Sequence, residues 1–224
     1  MGRSWWCRRL RRTSLLPEIP SLRHRTSDNG HTKRYPLDMP ALADLAREVG
    51  ADARTMRRAA ADGTIRRERV SPRRQTVSEG EYGYAITHWP LLASLRKLLR
   101  TEPNVRLAVL YGSTARGEDT PTSDVDILVA LADDDPDAAV KLAVRLERGL
   151  KHKVDIARLD RVRDKTPLLL LGVIEDGRPL LDRDGLWTYL QADRDQIELQ
   201  AYREHEARRA RARAAVRELL AAAR

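Results

Sequence analysis

Three short stretches of the chain carry residue types suited to phosphoryl chemistry. Gly112-Ser113 follows the apolar run Val105–Tyr111, ten residues then separate Ser113 from Asp124-Val125-Asp126, and Asp155 stands within Lys153-Val154-Asp155-Ile156-Ala157. A strand running into Gly-Ser and a helix start is phosphate-binding geometry. Gly112 lets the backbone approach a ligand, the following amides point at it with the positive end of the helix dipole, and Ser113 adds a hydroxyl. In the second stretch Val125, Ile127 and Val129 take one face of a strand and Asp124 and Asp126 the other. Two carboxylates side by side repel unless a cation lies between them, and Mg²⁺ is the commonest answer. Asp155 alternates in the same way with Val154 and Ile156. If its strand lies beside the second, three carboxylates converge where the Gly-Ser turn holds a phosphate, an arrangement suited to two-metal phosphoryl transfer.

The elements needed to hold these residues can be read around them. A helix over Trp89–Arg100 buries Leu91, Leu92, Leu95, Leu98 and Leu99 and leads through Pro103-Asn104 into the first strand. A helix from Pro136 to Leu150 separates the second and third strands. Leu168–Ile174 reads as a core helix ending at Glu175-Asp176-Gly177, followed by a short strand from Arg178 to Leu181. Asp133-Asp134-Asp135 reads as a solvated loop, His152 as a surface residue, and Tyr111 as a packing residue at the strand end, with stacking on a base as its other reading.

Gly112-Ser113, Asp124-x-Asp126 and Asp155 together resemble the nucleotidyltransferase domain of the DNA polymerase β superfamily, over about residues 100–184. The nearest likeness is to minimal nucleotidyltransferases, whose first motif often continues as Ala-Arg-Gly, as Ala115-Arg116-Gly117 does here. The resemblance implies an α+β fold, a mixed sheet with flanking helices. It also implies roles: Asp124 and Asp126 hold two Mg²⁺ ions, and Asp155 ligates the metal on the nucleophile side and helps deprotonate an acceptor hydroxyl. Gly112 and Ser113 bind the nucleotide phosphates, and Arg116 neutralises charge on leaving pyrophosphate. The implied substrate is ATP or another NTP. Small stand-alone members of this family often act as antitoxins that modify a partner toxin protein.

Charge is distributed unevenly over the 224 residues. The net +9 comprises +6 in residues 1–38, +4 in residues 39–75 and +4 in residues 203–224, against −3 across residues 100–184 and −2 across residues 185–202, with residues 76–99 balanced. Residues 1–38, with Arg8, Arg9, Arg11 and Arg12 among several prolines, read as a disordered basic tail. Residues 39–87 read as a helix, a Gly50 break, a second helix over Ala53–Ala61, and two extended runs, Thr64–Val70 and Gln75–Ile86, around the turn Ser71–Arg74. That order resembles a winged helix-turn-helix module. Arg54, Arg57 and Arg58 would meet DNA, with Arg73 and Arg74 on the wing; a helical adaptor with solvated arginines is the other reading. Residues 88–184 form the expected nucleotidyltransferase domain, and residues 185–224 a single helical extension with an incomplete apolar stripe.

A lone cysteine, Cys7, excludes an intrachain disulfide, and no apolar run is long enough to span a bilayer. Together they lead to the expectation of a cytoplasmic enzyme with no membrane association. The leading function is Mg²⁺-dependent transfer of a nucleoside monophosphate, AMP from ATP, to a macromolecular hydroxyl, possible DNA contact lying in residues 39–75. The alternative is a DNA-binding transcriptional regulator whose nucleotidyltransferase domain senses nucleotide without turnover. Transfer to a small molecule is disfavoured by the DNA-binding-like segment.

Overall fold

The computed structural model describes residues 39–69, 75–133 and 135–222. The expected basic tail, the turn carrying Arg73 and Arg74, and Asp134 lie outside the described residues. All described residues belong to one compact unit, Asp38–Arg224.

Its centre is a four-stranded sheet in the order β5-β4-β3-β6, built from β3 (Val105–Tyr111), β4 (Val125–Leu131), β5 (Val154–Arg158) and β6 (Arg178–Asp182). β3 runs antiparallel to β4 and β6, whereas β4 and β5 are parallel. Parallel neighbours need a crossover, and α5 (Ala138–Leu150) provides it, burying Ala138, Leu142 and Leu146. The mixed α+β architecture expected from the sequence is therefore present.

Period-two alternation sends β3 and β4 side chains to both faces of the sheet, and both faces are covered. Val125, Ile127 and Val129 share a core with Leu42 and Leu45 of α1 (Leu42–Glu48), Met56 of α2 (Ala53–Asp62) and Leu92, Leu95 and Leu99 of α3 (Glu79–Arg100). On the other face, Leu107, Val109 and Leu128 are buried. Beyond them in sequence come α6 (Leu159–Lys165), α7 (Pro167–Asp176) and α8 (Leu186–Ala192), with Leu170, Val173 and Trp187 buried.

The expected extended run Gln75–Ile86 is corrected. β1 (Glu68–Arg69) and β2 (Gln75–Thr76) pair antiparallel over two residues each, and the chain then enters α3 at Glu79. Ser78 caps that helix by accepting the Glu81 amide at 3.2 Å, so the Ser78-x-x-Glu81 spacing is a helix start inside the presumed wing. The helix runs through Pro90. Tyr84, His88, Trp89, Leu92, Leu95 and Leu99 fall on one buried stripe, and that burial outweighs the cost of a proline within the helix. The 87/88 boundary expected from the sequence thus lies inside α3.

The C-terminal extension is two helices, α8 and α9 (Arg194–Ala222), with Asp193 between them. Ile197 and Ala201 of α9 are buried, and from Arg203 onward the described side chains are exposed, apart from a half-buried Glu204. Among the described residues no helix is long and apolar enough to cross a membrane.

The α1–α3 segment is joined to the sheet by a buried ion pair, Arg178 Nη1 and Nη2 donating to the two carboxylate oxygens of Glu81 at 2.6 and 3.0 Å. Both side chains are almost wholly buried, at 3% and 6% exposure. Removing one partner of such a pair strands the other charge. Glu81→Ala should cost ~3–5 kcal/mol of stability in chemical denaturation; a loss below ~1 kcal/mol, typical of exposed pairs, would show that the pair is solvated.

Candidate active site

The site forms where β3, β4 and β5 end on one side of the sheet. In the parallel β4–β5 ladder Asp126 stands opposite Asp155, and in the antiparallel β3–β4 ladder Tyr111 stands opposite Asp126. Directly paired residues share a face, so the phenol and the two carboxylates point the same way. Of the three carboxylates expected to converge, strand pairing brings together Asp126 and Asp155, while Asp124 precedes β4 and lies outside this pairing.

Gly112 follows Tyr111 with φ +74°, a left-handed conformation that favours glycine, and begins the single-turn helix α4 (Gly112–Arg116). A Cβ at this position would collide with Oδ2 of Asp126. The glycine is therefore required by the close approach of the turn to a carboxylate, and this contact places Ser113 beside the acidic strand ends.

Mutual repulsion is visible in the electrostatics. Burial, then the nearby Asp155 and Asp124, push the Asp126 carboxyl above its ordinary range, and Arg116 offsets this only in part. The Tyr111 hydroxyl is pushed up to about 12 by burial, then by Asp126 and Asp155. Arg116 Nε donates to Glu118 Oε2 at 2.7 Å, which holds its guanidinium at the exposed rim. Asp124 is engaged differently, accepting a hydrogen bond from Lys153 Nζ at 3.0 Å.

These residues fit a hard divalent cation. The donors are carboxylate oxygens, two of them come from paired strand positions, and a cation would offset both the burial and the neighbouring carboxylates that raise Asp126. Among the described residues no three His, Cys, Asp or Glu side chains stand in a metal-gripping cluster, and Asp124 is bonded to Lys153. Arg54, Arg57 and Arg58 lie on α2, remote in sequence from this site, with exposed side chains.

Tyr111, Gly112, Ser113, Arg116, Asp124, Asp126 and Asp155 are covered by the family model described as Polymerase beta, Nucleotidyltransferase, which matches residues 93–185. The chain carries a polymerase β-type nucleotidyltransferase domain. No curated protein matches the chain. Among solved structures, a toxin-antitoxin crystal structure with AMP-PNP is 25% identical, covering 58% of this chain and 98% of that one, with a TM-score of 0.40. The MntA-HepT toxin-antitoxin is 24% identical over 59% of this chain and 98% of that one, at a TM-score of 0.38. A tri-AMPylated Shewanella oneidensis HEPN toxin in complex with MNT antitoxin is also 24% identical, with the same coverage and a TM-score of 0.39. The assignment of the nucleotidyltransferase domain rests on the family match.

Three residues of the site carry no motif. Tyr111, read from the sequence as a packing residue at the strand end or a base-stacking one, immediately precedes the glycine and pairs with the first motif carboxylate inside the strand. Lys153 is marked only by its place at the edge of the third strand. Arg178, at the start of β6, donates from Nε to the Ala115 carbonyl at 2.7 Å and so touches α4 from a distance in sequence that no local pattern reveals.

The raised Asp126 carboxyl gives a signed expectation. A carboxyl whose folded pKa exceeds its unfolded value favours the fold when protonated, and that contribution is lost as pH rises through the folded pKa. Without divalent cations, Asp126→Asn should therefore raise Tm at pH 7, with the gain disappearing toward pH 3, as followed by scanning calorimetry. An equal gain at both pH values would show that charge is not its cause.

Proposed function

We propose that this nucleotidyltransferase transfers a nucleoside monophosphate, AMP from ATP, to a hydroxyl of a macromolecular acceptor, and that the acceptor is a partner toxin protein. The observation that carries the transfer chemistry is the pairing of Asp126 with Asp155 directly beside the Gly112 turn. The toxin as acceptor follows from the resemblance of Gly112–Gly117 and Asp124-x-Asp126 to minimal nucleotidyltransferases.

In this reading Asp124, Asp126 and Asp155 hold two Mg²⁺ ions. When bound, these ions would neutralise the nucleotide phosphates and lower the barrier to displacement at the α phosphorus. Gly112 leaves room for the phosphates and Ser113 supplies a hydroxyl to them. Asp155, the exposed member of the pair, receives the proton of the acceptor hydroxyl as its oxygen forms a bond to the α phosphorus and the bond to the pyrophosphate breaks. Arg116, near enough to influence Asp126, meets the charge gathering on the leaving pyrophosphate.

α2 favours a second reading. Its Arg54, Arg57 and Arg58 side chains are exposed, and three cations on one short helix suit a phosphodiester backbone. The chain would then be a DNA-binding regulator whose nucleotidyltransferase domain senses nucleotide without turnover.

The two readings separate experimentally. With Mg²⁺ and α-labelled ATP, the wild-type chain mixed with the product of a neighbouring toxin-like gene should label that product, and Asp124→Ala with Asp126→Ala should abolish labelling; labelling by the double variant would sink the mechanism. For the regulator, Arg57→Ala with Arg58→Ala should weaken binding to the chain's own upstream DNA at low salt and flatten its salt dependence. A wild-type protein without affinity there removes that reading.

A further inference from the structure

α4 has five residues, too few to sustain a helix, so something outside it must fix its orientation. At its start Gly112 lies against Asp126. At its end, two successive carbonyls are taken by side chains from elsewhere: Thr114 O accepts the Tyr84 hydroxyl at 3.2 Å, and Ala115 O accepts Arg178 Nε at 2.7 Å.

These two side chains hold each other. The Arg178 guanidinium lies 3.5 Å from the centroid of the Tyr84 ring, a close cation–π contact. His88 stacks on the same ring, centroids 4.3 Å apart and planes 12° from parallel, and its Nε2 lies 2.8 Å from Asp119 Oδ1. Gly117, at φ +77°, admits the ring edge; a Cβ there would sit 3.1 Å from Tyr84 Cδ2. Burial pushes the Tyr84 hydroxyl up to about 12, so at neutral pH it remains protonated and able to donate.

We infer that Tyr84 is a positioning residue for nucleotide binding: with Arg178 on its ring, it holds the end of the Gly112–Arg116 turn and thereby sets where Ser113 and Arg116 stand relative to Asp126. Tyr84, like Glu81 and His88, precedes the 93–185 match. The first half of α3 is therefore part of the nucleotide site, not a spacer before it. The inference rests on Gly112-Ser113 being that site.

Tyr84→Phe removes the hydroxyl and keeps the ring under Arg178, and Tyr84→Leu removes both. In the full chain, calorimetric titration with MgATP should show Tyr84→Phe binding about fivefold more weakly, the factor corresponding to one hydrogen bond of ~1 kcal/mol, with Tm little changed. Tyr84→Leu should bind more weakly still. If Tyr84→Phe binds MgATP as tightly as the wild type, whatever its Tm, the positioning role is overturned and the phosphate site stands. If the wild type itself fails to bind MgATP, the phosphate site falls and the positioning role with it.

Discussion

A guanidinium buried to 3% exposure must find partners for its donors, and the surroundings of Arg178 are arranged around that need. It reaches Glu81 on α3, the Thr64 carbonyl after α2, the Ala115 carbonyl at the end of α4, and the Tyr84 ring. Glu81 in turn accepts the Arg66 amide at 2.9 Å. Four separate parts of the chain thus meet around one cation. A charge in this setting tolerates no missing partner, so these parts must be in place together. The turn beside the carboxylates inherits the stiffness of the core through Arg178.

On the opposite face of the sheet the constraint is reversed. Asp126 and Asp155 are held together by backbone hydrogen bonding between parallel strands, so their separation is set by the ladder and side-chain rotation relieves it only partly. A slip of one residue would turn Asp155 to the face of Val154 and Ile156 and leave Asp126 alone. The buried valines and isoleucine of these strands therefore do more than fill the core. They fix the register that brings like charges together, and burial, followed by these neighbouring charges, raises the Asp126 carboxyl.

Features governed by near neighbours in sequence were legible. The three strands, the Gly-Ser turn and the alternating carboxylates follow from period-two patterning, and the core helix at Pro167–Asp176 from its apolar run. The start of α3 was hidden because Tyr82, Tyr84 and Ile86 suit a strand, Gly80 and Gly83 suit a turn, and Pro90 suits a helix beginning; only tertiary burial of Tyr84, His88 and Trp89 decides for a helix. Within the site, the carboxylate positions were readable and their supports were not. Arg178 and Glu81 are 97 residues apart, and neither has a local context that marks it as buried. Asp124 and Lys153 meet only because β4 and β5 are neighbours.

The exposure of α9 beyond Arg203 has a thermodynamic consequence. Arg208 still donates to the Lys165 carbonyl at 3.0 Å, and the other supports there are local, including the Arg208–Glu204 pair at 2.7 Å and the Arg209–Glu206 pair at 3.6 Å, together with the helix preference of its alanines. Such a segment gains little from the cooperative transition of the sheet and its covering helices. Its coil–helix balance shifts gradually with temperature and ionic strength, as in an isolated peptide, so the chain has two levels of cooperativity: an all-or-none body and a noncooperative arm.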